Sequence, residues 1–233
     1  MKKRGIKHDE PFHLTSLTSG FILNKTVFFD LGNVILFFSH DKMCEQLAKV
    51  AGKEVHAIKH LLFQTPLVDS YEKGNIDTQV LFQFFSQTFG CNVRYEDFLE
   101  ALCDIFVLNH PMIPLLSQLK QQGNELILLS NTCPAHFEFA THKYPELKIF
   151  DQLVLSYELG YRKPDPNIYQ YALKKSSFEI NDCFYTDDIK EYVEKASSLG
   201  INSHLFTSCE TLTQELISKG FLHNERKNEL EKN

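Results

Sequence analysis

Residues 26 to 29 read T-V-F-F, followed at once by Asp30, then L-G-N, then a second apolar run, V-I-L-F-F. Four consecutive β-branched and aromatic residues predict a strand buried on both faces, as in a parallel sheet. The carboxyl end of such a strand is where open α/β sheets bind their ligands, and Asp30 stands at that end. Gly32, two residues on and next to Asn33, allows a tight turn that aims a side chain and a backbone carbonyl at one point.

From Asn109 onward, helical stretches alternate with short apolar runs. These are E-L-I-L-L-S ending at Ser130, Q-L-V-L-S, D-C-F-Y-T running into Asp187 and Asp188, and N-S-H-L-F. Strands separated by helices imply right-handed crossovers and helices on both faces of a parallel sheet. The expected fold class is therefore α/β: a doubly wound, five-stranded Rossmann-like core of order 3-2-1-4-5. In that order the first and fourth strands are neighbours, so Asp30 should lie beside Asp187 and Asp188.

Residues 39–108 read almost entirely as helix. Asp41 is the expected cap of K-M-C-E-Q-L-A-K-V, and Pro66 breaks the next helix. A helix over Ile76–Phe89 should place Val80, Leu81, Phe84, Phe85 and Phe89 near one face, and another should run from Tyr95 to Val107. The expected organisation is an N-terminal extension (1–24), a catalytic core (25–38 and 109–222), an inserted helical cap (39–108) and a C-terminal tail (223–233).

With 233 residues, 43% hydrophobic and 23% charged, the chain is long enough for one core plus an insertion. A net charge of -6 without a basic stripe argues against nucleic-acid binding and favours a small-molecule partner. No run approaches the ~18 apolar residues of a membrane span. Six scattered cysteines without C-x-x-C pairs predict reduced thiols in a cytoplasmic protein.

Three carboxylates converging on one crevice repel one another unless positive charge compensates. Magnesium suits such a site, with Asp30, the Gly32 carbonyl, Asp188 and retained waters as ligands. Ser130 offers a hydroxyl and the backbone near Asn131 or Thr132 an N–H, both suited to phosphate oxygens. Lys163, in the proline-stiffened R-K-P-D-P loop, can keep Asp30 ionised and offset charge on a phosphoryl group. Asp30 is then a candidate nucleophile toward phosphorus.

The four segments F-D-L-G-N-V-I, L-L-S-N-T, R-K-P-D and Y-T-D-D, each at a strand end or in the loop between strands, resemble the motifs of the haloacid dehalogenase superfamily, on its phosphatase side. The resemblance covers Val27 to Leu216. It implies Asp30 as nucleophile, the Gly32 carbonyl and Asp188 as magnesium ligands, and Asp187 as a supporting acid of the metal site. It also implies Ser130 and Asn131 on the phosphate, Lys163 beside both phosphate and Asp30, and a cap closing over the substrate. Two positions depart from the pattern. Gly32 replaces the aspartate that usually protonates the leaving group, as in a branch acting on sugar 1-phosphates, and Tyr192 replaces an Asn or Asp that orders the metal shell. His40 or Asp41, entering the cap, is a candidate replacement acid.

The expected function is a magnesium-dependent phosphatase of a small phosphorylated metabolite, a sugar phosphate among the candidates, acting through an aspartyl-phosphate. The alternatives are a 2-haloacid dehalogenase-type hydrolase, which needs neither metal nor an acid at position 32, and a catalytically eroded module that binds a phosphometabolite or another protein. His56 and His60 lack the glutamate of H-E-x-x-H and read as helix surface. Cys133 reads as a packing residue at the edge of the site.

Overall fold

The computed structural model describes residues 23–223. The expected extension and tail therefore fall almost wholly outside the described residues. Inside them, Leu23 N–H donates to Gln122 O at 2.8 Å and His223 N–H to Gln122 Oε1 at 2.8 Å, so both ends meet at one residue.

The chain runs through β1 (Thr26–Phe29), β2 (Leu36–Phe38), five helices α1 (His40–Ala51), α2 (Val55–Phe63), α3 (Leu67–Glu72), α4 (Thr78–Phe89) and α5 (Tyr95–Cys103), and β3 (Phe106–Leu108). It continues with α6 (Met112–Gln121), β4 (Glu125–Ser130), α7 (Pro134–Lys143), β5 (Gln152–Leu155), α8 (Ser156–Leu159) and α9 (Pro166–Lys175). Last come β6 (Cys183–Asp187), α10 (Lys190–Ser198), β7 (Asn202–Leu205) and α11 (Cys209–Ser218).

Five strands form one parallel sheet in the order β5-β4-β1-β6-β7. Counting the strands of this sheet alone, that is the expected 3-2-1-4-5. Alternate residues of β1 enter two different cores. Phe28 packs with Ile127, Leu129, Tyr169 and Tyr185 on one face, while Val27 and Phe29 join Leu126, Leu128, Leu116 and Leu216 on the other. The second core continues without interruption into α1–α5 through Met43, Leu47, Ile58, Phe85, Phe98 and Leu102. The phenylalanines of these helices pack on one another, Phe85 and Phe98 with ring centroids 5.1 Å apart.

Several local expectations are corrected. The helix expected to reach Val107 ends at Cys103, and Phe106–Leu108 instead pairs antiparallel with Leu36–Phe38. The burial of Phe106 and Leu108 around a 60% exposed Val107 is the period-two pattern of a strand with one wet face. Ser39, not Asp41, caps α1, its Oγ accepting from Lys42 N–H at 3.1 Å. On α4 the buried pair is Leu81 and Phe85, whereas Val80 and Phe84 are exposed. The break expected at Pro66 is present, between α2 ending at Phe63 and the short α3.

The α3–α4 turn lies against the core at one point. A Cβ on Gly74, whose φ is +69°, would stand 2.1 Å from Tyr157 O, so only glycine lets this turn approach α8. No helix among the described residues is long and apolar enough to cross a membrane.

Candidate active site

At the carboxyl edge of the sheet, β1, β4 and β6 deliver Asp30, Ser130 and Asp187 side by side, with Asp188 next in the chain. Asp30 N–H donates to Thr186 O at 3.0 Å, extending the β1–β6 ladder by one residue and fixing the carboxylate at the sheet edge. Just beyond it, the amides of Ile35 and Leu36 both reach Leu31 O, and Asn33 adopts φ +53°. This turn aims Asn33 Nδ2 at Asp188 Oδ2, 2.9 Å away.

Lys163 arrives from the loop between α8 and α9 and is almost fully buried. Asn131 anchors that loop from both sides, accepting from Lys163 N–H at 2.7 Å and donating to Lys163 O at 3.0 Å. The ammonium has three donors and finds three acceptors: Asp30 Oδ1 at 2.7 Å, Asp187 Oδ2 at 2.6 Å and Leu129 O at 3.0 Å. Burial opposes its charge, but Asp30 and Asp187 outweigh burial and hold it above the usual lysine range.

Carboxylate oxygens of Asp30, Asp187 and Asp188 lie within 4.8 Å of one another. Burial pushes Asp30 up to about 7, Lys163 drawing it back and Asp187 adding to the rise. Burial also raises Asp188, against the hydrogen bond from Asn33. One lysine thus leaves the acidic trio short of positive charge, and a hard divalent cation with oxygen ligands fits that deficit.

The three acids are not equivalent. Asp187 is fully buried and both its oxygens are engaged, Oδ1 by Ile189 N–H at 2.8 Å and Oδ2 by Lys163 and the Tyr185 hydroxyl. Asp30 and Asp188 each carry a single side-chain hydrogen bond, from Lys163 and Asn33, so each keeps an oxygen for an incoming group. Asp30 and Asp188 line the cavity above the sheet edge, together with Gly32, Ser130, Asn131, Lys163 and Tyr192; the cavity volume is about 160 Å³.

The phosphate-binding expectations are refined in two respects. Thr132 N–H is taken by Ser156 Oγ at 3.0 Å, so of the two backbone donors considered, Asn131 N–H is the one without a competing partner. The Asn131 amide group serves the Lys163 loop and donates to Tyr192 Oη at 3.3 Å. Ser130 is buried on the cavity wall, its Oγ making only a long 3.4 Å contact to Asn131 O.

The departures from pattern have a structural counterpart. A Cβ on Gly32 would stand 2.7 Å from Phe38 Cε1, so the Phe38 ring occupies the space a side chain at 32 would need. Tyr192 places its ring 5.3 Å from Lys163 Nζ. Of the two candidate replacement acids, His40 lines the cavity between the rings of Phe38 and Phe63, whereas Asp41 is exposed and bonded to Lys59. Burial lowers the His40 pKa, so its ring is neutral near pH 7 and a weak proton donor.

Other wall residues carried no assigned role in the sequence: Phe38, Glu72, Ile105, Phe106, His136 and Arg162. Arg162 lies next to Lys163 in a motif and could have been suspected. Glu72 sits on a six-residue helix with no distinguishing spacing. His56 and His60 are exposed on α2, and Cys133 is a buried thiol whose pKa burial drives up, leaving it unreactive.

Comparison with known proteins places these features in context. The family model described as haloacid dehalogenase-like hydrolase matches residues 24–192. A drimenol cyclase of Aspergillus calidoustus is 24% identical over 82% of this chain, which spans only 36% of that protein. A D-ribitol-5-phosphate phosphatase of Bacteroides thetaiotaomicron is 24% identical over 77% of this chain and 90% of its own length. Among solved structures, a HAD family enzyme from Bacteroides thetaiotaomicron in complex with magnesium and inorganic phosphate superposes with a TM-score of 0.72. That match has 22% identity and covers 78% of this chain and 94% of the other.

Proposed function

The chain belongs to the haloacid dehalogenase-like hydrolases, and on that premise we propose that it is a magnesium-dependent phosphatase of a small phosphorylated metabolite, with Asp30 as nucleophile. The observation that carries the reading is the buried ion triad. Lys163 is locked between Asp30 and Asp187, while Asp188 keeps an oxygen free within 4.8 Å. A metal-free halide-releasing site has no need of two adjacent acids, so the trio favours phosphoryl over halide chemistry.

Asp30, Asp188 and the Gly32 carbonyl would hold magnesium, with Asp187 supporting from behind. Bound there, the ion would supply positive charge against the non-bridging phosphoryl oxygens and keep Asp30 ionised. Asp30 attacks phosphorus in line and the alcohol departs, leaving an aspartyl-phosphate that water then opens. Ser130 Oγ and Asn131 N–H donate to the phosphoryl oxygens, and Lys163 offsets their charge. Asn131 and Tyr192 hold the lysine loop in register.

With Phe38 where a leaving-group acid would stand, the site favours esters whose departing oxygen is already a weak base, such as an anomeric oxygen. Protonation by a positioned acid is typically worth ~10²- to 10⁴-fold, so ordinary alkyl esters should turn over more slowly. The ribitol phosphatase relative, matched along most of its length, supports a polyol or sugar phosphate as substrate, and by the leaving-group argument a primary polyol ester would turn over more slowly than a sugar 1-phosphate. The test is hydrolysis of p-nitrophenyl phosphate with and without magnesium, beside the Asp30→Asn variant. Release of p-nitrophenol only with both magnesium and Asp30 is the expected result. Metal-independent release, or release by Asp30→Asn, contradicts the reading.

A further inference from the structure

Glu72 and Arg162 meet on the cavity wall from opposite sides of the molecule. Glu72 ends α3 in the inserted helices, and Arg162 precedes Lys163 in the core. Arg162 Nη2 stands 2.7 Å from Glu72 Oε2, and Nη1 donates to Asp69 Oδ1 at 2.9 Å. Glu72 Oε2 is closed to water inside this ion pair, and Arg162 Nε is closed to water without a hydrogen bond. Both side chains keep part of their surface open, 17% for Glu72 and 26% for Arg162.

A charged acceptor and a charged donor, each lining the cavity with part of its surface open, suit one chemical group well. A hydroxyl donates to a carboxylate and accepts from a guanidinium at the same time, and neighbouring hydroxyls do so along both partners. An alkyl chain would cover the open polar surface of both groups without replacing the hydrogen bonds they make to water. The cavity, about 160 Å³, is smaller than the ~300–1,000 Å³ typical of sites for drug-sized ligands, which also argues for a short substrate. Burial raises the Glu72 pKa against the pull of Arg162, and the neighbouring Asp69 adds to the rise.

Building on the phosphatase reading above, we propose that Glu72 and Arg162 are the specificity-determining residues of this site, reading vicinal hydroxyls of a small polyol or sugar phosphate. Asp69 and Lys73 brace the pair, Asp69 accepting from both Arg162 and Lys73. Phe38, Ile105 and Phe106 form the apolar part of the wall, against which the carbon backbone of such a substrate lies.

The experiment compares a pentitol phosphate with pentyl phosphate, two esters of equal chain length. Binding to the full chain carrying Asp30→Asn is measured by calorimetry in magnesium buffer, so that turnover does not interfere. One hydrogen bond to a charged group corresponds to about tenfold in affinity or more, and the polyol ester should bind tighter by at least that. Adding Glu72→Leu should bring the two esters within about twofold by weakening the polyol ester alone, since only that ester makes the hydrogen bond the substitution removes. Glu72→Gln keeps an acceptor oxygen in place and should retain most of the preference.

Equal affinities in the parent, no binding of either ester, or equal weakening of both by Glu72→Leu overturns the inference. Equal weakening would mean that the pair merely fastens the inserted helices to the core. Turnover by the chain with native Asp30 separates the two claims. Hydrolysis without ester preference leaves the phosphatase reading standing and removes this one. Preferential binding without hydrolysis does the reverse.

Discussion

At the scale of single residues, the account turns on Lys163, whose three N–H groups meet three acceptors in a buried slot. Removing one partner of a buried ion pair leaves uncompensated charge and costs about 3–5 kcal/mol. Lys163→Met should therefore lower the metal-free chain's unfolding free energy in urea by that order, whereas loss of an exposed pair such as Lys190 with Glu194 should cost under about 1 kcal/mol. Equal effects would show that the triad is not a buried network. His136 offers a second test. Its Nε2 lies 3.1 Å from Leu102 O, and burial pushes its pKa down to about 4 from 6.5. The folded chain takes up this proton later than the unfolded chain as pH falls. Relative to His136→Gln, native stability should be flat above pH 6.5 and decline below it, by at most about 3 kcal/mol at pH 4. A difference that stays flat across that window contradicts the burial of His136. Asp30, Ser130, Lys163, Asp187 and Asp188 were legible in the sequence because strand ends and motif spacing announce them. Phe38 and Glu72 were not, because their places on the cavity wall depend on where the β2 and α3 backbones pass over the sheet edge.

Among the elements, the strands of the parallel sheet were readable for a definite reason. T-V-F-F, L-I-L-L and C-F-Y-T are continuous apolar runs, and each is buried on both faces. The ribbon of β2 and β3 escaped because I-F-V-L fits a helix end as well as a strand over so few residues, and only pairing with Leu36–Phe38 decides between them. Likewise the turn after α3 is an ordinary K-G-N sequence until Gly74 is seen against Tyr157 O. Two glycines of positive φ separate backbone strain from close contact. Gly52 at φ +61° faces open space, and Gly74 at φ +69° faces a carbonyl. Gly52→Ala should cost about 1 kcal/mol through its φ alone. Gly74→Ala should cost a further ~1–3 kcal/mol because neither backbone can yield without displacing α3 from the core. Thermal melts of the two variants check this, and equal losses would mean that the contact with Tyr157 is not needed for stability.

For the whole molecule, one hydrophobic core runs from the sheet into the inserted helices, so the wall bearing Glu72 and the edge bearing Asp30 are parts of one packed body. The parallel topology sets the acids side by side. A buried lysine neutralises part of their charge, and the helical layer closes a small polar cavity over them. On the reading proposed above, Glu72 of the inserted helices and Arg162 of the core would choose the substrate, and the sheet edge would carry the phosphoryl chemistry. The central claim is that Asp30 takes the phosphoryl group, and it is tested most directly by acid-quenching the chain during turnover of a phosphate ester and mapping the modified peptide by mass spectrometry. The account predicts an added phosphoryl group on Asp30 within the F-F-D-L-G-N segment, absent from Asp30→Asn. Steady turnover with an unmodified Asp30, or with the adduct on another residue, would contradict it.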